Sequence, residues 1–492
     1  MSIANDTAKA IFGALGQSYL QLPEVLFSRV MPTPVKAPQA VLVNYPLSTS
    51  LGFNIAEADL GEITATLSGN AVPQDSNPIA QAYMGHQFGY PNMLGDGRAI
   101  LLGEQIAPSG KRYDIQLKGA GPTPYSRRGD GRATLSACLR EYIISEAMYH
   151  LGIPTSRSLA VVATGEPVYR ESVMDGGVLT RVMASHLRVG TFEFATRHLD
   201  KPDYETFLVY VVKRHYPHLL EKEDLALAFL REVMHNQIDL IVHWMRVGFI
   251  HGVMNTDNMS IAGETFDYGP CAFMNAYNPA TVFSSIDTNG RYAFGNQPSI
   301  AQWNLAVLAS ALIPLIDDVP EQAIEKAKEV IHTFPDIYAG KFRIMMKQKL
   351  GIQGEEAVDT MLMNDLLQWM EMTKADYTNT FTHLTYGTVP KDEMYGEDGF
   401  KLWYERWKER IALNKEGNTY ASTQMQASNP VFIPRNHFVE EALELATLGN
   451  DFSYLHTLLH VMSNPYKMNA QYKEFRKPPA GGEENYRTFC NT

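Results

Sequence analysis

A chain of 492 residues is too long for one hydrophobic core and implies about three folding units. With 45% hydrophobic and 20% charged residues, it has the make-up of a folded globular protein and not of a disordered, collagen-like or disulfide-scaffolded one. Its 42 Lys/Arg against 54 Asp/Glu leave a net charge of −12, which disfavours general binding to nucleic acid or anionic membrane. Basic residues nevertheless gather between Arg98 and Arg188, where 12 Lys/Arg stand against 8 Asp/Glu. A cationic region in an anionic body suits a small polyanion such as a nucleotide.

Three cysteines, Cys138, Cys271 and Cys490, provide neither a disulfide framework nor a C-x-x-C pair. The N-terminus lacks a basic stretch followed by an apolar one, so no signal peptide is read. The longest apolar run, Leu305 to Ile316, falls short of the roughly 20 residues that cross a bilayer. A cytoplasmic monomer without membrane or nucleic-acid partners is expected.

In chain order, residues 1–70 mix short apolar runs with prolines (Pro32, Pro34, Pro38, Pro46) and read as an extension packed onto a larger body. Strands follow at Ile100–Leu102 and Tyr113–Lys118, joined by a turn at Pro108-Ser109-Gly110. In the second, Tyr113, Ile115 and Leu117 alternate with Asp114, Gln116 and Lys118, giving one apolar and one polar face. A Gly/Pro/Ser-rich loop over 119–132 leads into a helix over 134–150 with apolar residues at helical spacing. Another helix runs from an Asp224 cap to about Val247, stopped by Gly248. Strand-like pieces come next at Phe249–His251, Met259–Ile261 and Thr265–Phe266. From Ser299 the chain is mostly helical, broken at Asp317-Asp318-Val319-Pro320 and at Gly351, and an extended tail begins at Lys477. Strands early and helices late predict an α+β, two-lobed body, divided as 1–70, 71–190, 191–320 and 321–492.

Several familiar motifs are missing. There is no P-loop, no H-E-x-x-H and no G-x-S-x-G, and the three G-x-G starts all lack a third glycine. What remains is a series of short pieces. Gly95-Asp96-Gly97-Arg98 and Gly129-Asp130-Gly131-Arg132 each combine a sharp backbone bend, which brings amide groups close to a ligand, with an arginine. Lys118 ends a strand and Glu141 lies in the following helix, the pairing by which protein kinases hold phosphates. Arg181 and Arg188, seven apart, would share one face of a helix and could bind phosphate bidentately. Asn255, Asp257 and Asn258 lie on one loop, and a Gly263-Glu264 turn returns Asp267 alongside. Two carboxylates and an amide are the oxygen donors that Mg²⁺ or Mn²⁺ prefers, and an Asp free of metal can accept a hydroxyl proton. His235 and His243, on the long helix, read as packing residues.

Together, Gly85-His86-Gln87-Phe88-Gly89, Leu94 to Arg98, Gln116 to Arg132, His251 to Asn258 and Asp267-Tyr268-Gly269-Pro270 resemble, in order, the motifs of the selenoprotein O (YdiU) family. The resemblance implies a bilobal protein-kinase-like fold with an N-terminal extension and a large helical C-terminal part. It also implies ATP bound in a flipped orientation and transfer of AMP to Ser, Thr or Tyr hydroxyls of proteins, with UMP from UTP as a second donor. Carried over by position, Gly95, Gly97, Arg98, Lys118, Asp130, Gly131, Arg181, Arg188 and Asp267 would bind the nucleotide. Glu141 would pair with Lys118, Asp257 would accept the proton, and Asn258 and Asp267 would hold Mg²⁺ or Mn²⁺. One departure from ordinary kinases is plain: there the metal-binding Asn stands five residues after the catalytic Asp, whereas Asn258 follows Asp257 directly. Cys490 occupies the place where many animal relatives carry selenocysteine, which marks it as a redox candidate. Phosphoryl transfer by the same residues, and a catalytically silent nucleotide-binding scaffold with a redox role, stay open as alternatives at this stage.

Overall fold

A computed structural model describes residues 11–73, 76–87, 89–390, 393–483 and 486–488. Its strands are β1 (Phe27–Arg29), β2 (Gln39–Val43), β3 (Ile79–Gln81), β4 (Met84–Gln87), β5 (Tyr90–Met93), β6 (Ala99–Ile106), β7 (Arg112–Lys118), β8 (Ala133–Thr134), β9 (Arg157–Tyr169), β10 (Val173–Met183), β11 (Phe249–Ile250) and β12 (Ala272–Phe273). The main sheet runs β1-β3-β6-β7-β10-β9-β2, with β8 paired to β10, and its strand pairs are antiparallel. β4 and β5 form a separate hairpin, and β11 pairs with β12. From Gln297 to Met462 the regular structure among the described residues is helical. The result is an α+β body with a sheet-rich first part and a helical second part.

The segment read as an extension contributes both edge strands, β1 and β2. It also sends the helices Tyr45–Leu51 and Leu60–Leu67 over one face of the sheet, where Leu51, Ile63 and Leu67 pack on Ile115, Leu117, Val178 and Val182. The opposite face receives the helix Leu135–His150, whose Leu139 and Ile143 meet Leu101, Val161 and Leu179. That helix begins where expected, its Thr134 side chain accepting the Ala137 amide.

β6 and β7 form the expected hairpin, with Ala99 opposite Lys118. The alternation in β7 is real, but its polar face does not meet solvent: Asp114, Gln116 and Lys118 are all buried. Alternation detects two different faces, and here the second face is buried, with Asp114 paired to Arg214 and His186 and Lys118 paired to Glu141 and Asp267.

The long helix spans Leu225–Val247 and ends at Gly248 in the left-handed region, as its sequence predicts. Asp224 stands at its N-cap position, yet its carboxylate pairs with Arg231 at 2.9 Å and caps no amide. Of the three strand-like pieces, the first alone forms a strand. Met259–Ile261 and Thr265–Phe266 make single bridges, Ser260 to Arg188 and Thr265 to Thr155, because loop closure rather than sheet extension is what they serve. The breaks at Asp317–Pro320 and Gly351 fall between helices as expected. The apolar run is longer than expected: the segment Phe294–Ile316, 23 residues, is by length and composition able to span a bilayer. It is also a core element, packing Ile300, Leu305, Leu308 and Leu312 into the protein body.

Candidate active site

Between the sheet and the helical part lies a cleft of about 730 Å³. Gly95, Gly97, Arg98, Asp130 and Gly131 line its mouth, and Asn255, Asp257, Asn258 and Asp267 line its opposite wall.

The two glycine loops are built against each other. Gly95 has φ +145°, and an added β-carbon there would collide with the Tyr125 ring. Ser126 donates to the Gly97 carbonyl, and Thr123 Oγ1 donates to Asp96 O at 2.6 Å. Gly131 (φ +65°) lies directly on the Gly121 carbonyl, leaving no space for a side chain. Asp130 forms a two-pronged ion pair with Arg170 (2.9 and 3.1 Å), which also lines the cleft and lowers the pKa of Asp130.

Below the mouth sits a buried charge cluster. Lys118 Nζ is 2.7 Å from both Glu141 Oε2 and Asp267 Oδ1. Arg181 reaches the same two carboxylates, at 2.6 Å from Glu141 Oε1 and 3.1 Å from Asp267 Oδ1. Burial would raise the pKa of both acids. For Glu141 the cations Arg181 and Lys118 outweigh it and lower the pKa; for Asp267, Lys118 and Arg181 hold it well below the ordinary value. Asp267 adopts φ +60°, a left-handed conformation rare for a non-glycine residue and found at sites that hold a side chain in a set direction.

Arg181 and Arg188 do not share a helix. Arg181 is on β10 and Arg188 is the N-cap residue of the helix Val189–His198. A run of Val, Leu and Thr with a strand partner on either side overrides the seven-residue spacing. The two guanidinium groups still belong to one region. Arg188 Nη1 donates to Asp257 O at 3.1 Å, Nη2 is 3.6 Å from Asp96 Oδ1, and its guanidinium lies 4.0 Å from the Tyr83 ring centre.

Asp257 is different from its neighbours. Burial pushes its pKa up to about 6, against the pull of Arg188, and its Oδ1 is buried without a hydrogen-bond partner among the described residues. Asn258 spends its amide nitrogen on Val253 O at 3.1 Å. The Gly263 turn forms as expected, with φ +71° and its amide bonded to Ser260 O.

Sequence reasoning missed Tyr83, Tyr125 and Arg127 in the cleft and Asp96 beside Arg188. Asp96 was overshadowed by its flanking glycines, yet it is 3% exposed and faces Arg188. Tyr83 and Tyr125 carry no motif of their own. Arg127, in the doubled Arg127-Arg128, lines the cleft with φ +48°, and a pair of arginines in a glycine-rich loop was the available signal. Cys490 lies outside the described residues. Cys271 is a buried free thiol whose pKa burial pushes up to about 12.

Residues 15–463 match the family model described as "Protein adenylyltransferase SelO". The chain belongs to this family. It is 52% identical over 478 residues to "Protein nucleotidyltransferase YdiU" of Bacillus thuringiensis (strain Al Hakam), covering 97% of this chain and 98% of the relative. The protein of the same name in Bacillus cytotoxicus is also 52% identical, over 475 residues, covering 96% and 97%. Among solved structures, ROP2 from Toxoplasma gondii, described as a virulence factor with a protein-kinase fold and no enzymatic activity, aligns at TM-score 0.24 and 10% identity over 67% of this chain and 86% of that one. Membership of the SelO family makes the chain an enzyme of the nucleotidyltransferase class.

Proposed function

We propose that this enzyme transfers AMP from ATP, and UMP from UTP as a second donor, to Ser, Thr or Tyr hydroxyls of proteins. The observation that carries the reading is the convergence of Asp257, Asn258 and Asp267 on one cleft, with Asp267 paired to the buried Lys118 and Arg181 and the Asp257 carbonyl held by Arg188. The acceptor hydroxyl gives its proton to Asp257 Oδ1, the buried oxygen without a partner. A base with a pKa of about 6 is largely ionised at neutral pH and well matched to that task. The hydroxyl oxygen bonds to the α-phosphorus as the bond to the β-phosphate oxygen breaks. Charge then grows on pyrophosphate, where Lys118, Arg181, Arg188 and Arg98 can meet it. Arg98 Nη1 is itself buried without a partner among the described residues.

A divalent ion fits this donor set. Asp267 and the Asn258 amide oxygen would hold it, and no group of three or more His, Cys, Asp or Glu gathers among the described residues to form an all-protein cage. Mg²⁺ characteristically takes one or two carboxylates and completes its shell with water and substrate phosphates. When bound, the ion would neutralise phosphate charge. The two buried free thiols suit a reducing compartment, in keeping with a cytoplasmic protein, and sedimentation velocity checks the monomeric state that this reading includes.

ATP labelled at the α or the γ position, supplied with Mg²⁺ or Mn²⁺ and a protein acceptor, tests the proposal. Label from α is expected on protein; label from γ alone would show phosphoryl transfer instead, and neither would mark a silent scaffold. Asp267→Ala should abolish transfer with an unchanged near-ultraviolet circular dichroism spectrum, and persistent transfer would refute the metal assignment.

A further inference from the structure

The Gly85-His86-Gln87 stretch has no part in the nucleotide chemistry above, yet it is the part of the sheet-rich half that presses on the Asp257 loop. It forms β4, whose only strand partner among the described residues is β5. Four contacts hold it. The Met84 carbonyl lies directly against Gly190, where any β-carbon would overlap it. The His86 amide donates to Thr256 Oγ1 at 2.8 Å. His86 Nδ1 is 2.5 Å from Glu193 Oε1, a carboxylate 4% exposed on the helix Val189–His198. The imidazole edge meets the Trp303 ring at 5.4 Å between centroids. One residue earlier, Gly85 lies so close to the Asp257 carboxylate that a β-carbon would overlap Oδ1 and stand 2.5 Å from Leu94 Cδ1.

A hairpin anchored for stability alone would fill this place with apolar side chains. Here a half-buried imidazole paired with a buried carboxylate sits one residue from a glycine, and glycine inside a strand marks a close approach by another group. We propose that Gly85 and His86 are positioning residues for Asp257. Gly85 forms the wall against which the carboxylate rests, and the His86–Glu193 pair, with the His86 amide on Thr256, fixes that wall to the loop. Arg188 donates to the Asp257 carbonyl as well, so the residue is set by the Gly85 backbone against its carboxylate and by a hydrogen bond to its main chain. Neither Gly85 nor His86 touches substrate in this scheme, and the inference rests on the reading of Asp257 as proton acceptor.

The test measures transfer from α-labelled ATP to a fixed protein acceptor by His86→Ala, His86→Asn, Asp257→Asn and the double variant His86→Ala/Asp257→Asn. A small misplacement of a reacting group costs up to about a hundredfold in rate, so His86→Ala should lower kcat by roughly ten- to a hundredfold with KM for ATP within about twofold. His86→Asn keeps a donor for Glu193 and should recover most of the loss. In the double variant the two losses should not multiply, because the histidine acts through the aspartate. The inference is overturned if His86→Ala keeps its kcat, if KM for ATP changes instead, if His86→Asn does no better than His86→Ala, or if the losses multiply. Should Asp257→Asn retain full transfer, the proton-acceptor reading falls and takes the positioning role with it. An inactive Asp257→Asn beside an unimpaired His86→Ala refutes the positioning role alone.

Discussion

Replacing Glu141 with Gln removes one of the two carboxylates that touch both Lys118 and Arg181 while keeping the side chain's shape. Glu141 is 1% exposed, with contacts of 2.7 Å to the lysine and 2.6 Å to the arginine. After the change two buried cations share Asp267 alone. Breaking a buried pair by removing one partner costs about 3–5 kcal/mol. A large domain loses roughly 2–4 °C of melting temperature per kcal/mol, so the part containing the sheet should melt on the order of 6 °C or more below wild type. Two further results are specific to charge. The double variant Lys118→Met/Glu141→Gln leaves Arg181 balanced by Asp267 and should be more stable than Glu141→Gln alone, since deleting both partners is cheaper than orphaning one. Tripolyphosphate should raise the melting temperature of Glu141→Gln more than that of the wild type, because it supplies the missing negative charge. Differential scanning calorimetry with and without tripolyphosphate measures all three. A Glu141→Gln protein that melts with the wild type, or a double variant less stable than the single one, would refute the account of the cluster.

Gly131→Ala forces a β-carbon onto the Gly121 carbonyl, so the two glycine loops must separate; KM for ATP should rise about tenfold or more, and trypsin should cut at the exposed Arg127-Arg128 faster than in wild type. Glu264 is half-buried and accepts the Ala184 amide at 2.9 Å, and desolvation pushes its pKa up to about 7. Because the folded value lies above the unfolded one, its contribution to stability is greatest below the ordinary Glu range and is lost as pH rises through 7. Glu264→Gln should therefore melt higher than wild type at about pH 8, by on the order of 3 kcal/mol at most, and converge with it near pH 5, as paired thermal melts would show. Arg127→Gly removes a left-handed non-glycine residue that costs roughly 1 kcal/mol, so it should raise the melting temperature slightly while weakening ATP binding; a fall in both would contradict a functional reason for the strain.

The sequence made the β6–β7 hairpin legible because its turn and alternation are local signals. The helices Leu135–His150 and Leu225–Val247 were legible because caps and stop residues punctuate them. Lys118 and Glu141 could be paired through a kinase-like motif, and their separation of 2.7 Å is a product of β7 lying across the helix. Arg181 and Arg188 were placed on the wrong element because spacing alone cannot distinguish a helix face from a strand followed by a cap. The buried state of Asp114, Gln116 and Lys118 was invisible for a related reason: a polar face turned toward solvent and one turned toward buried ion-pair partners have the same pattern of letters. The sheet edges came from the N-terminal segment through pairings of β1 with β3 and β2 with β9, which no window of neighbouring residues reports. Asp96 and His86 lay inside quoted motifs, but their roles depend on Arg188, Glu193 and Thr256, residues distant in the chain.

The proposed orientation of the nucleotide follows from where these charges lie. A triphosphate carries its negative charge at one end and an uncharged base at the other. Lys118 and Arg181 are buried and tied to carboxylates, whereas the mouth combines glycine backbone and the Tyr125 ring with the arginines Arg98, Arg127, Arg132 and Arg170. Seating the base at the buried end would cover Lys118 and Arg181 with an apolar ring, at the desolvation cost of buried charge without its return. Seating the phosphate tail there lets the same cations bind it, and the base then meets backbone and aromatic carbon. In that orientation the β- and γ-phosphates occupy the cationic end and the α-phosphorus is left nearer the mouth, within the region served by Asp257. Asp267 would be the hinge of the exchange: Lys118 and Arg181 hold it in this structure, and a phosphate oxygen that took one of those cations would free its carboxylate to hold a metal ion.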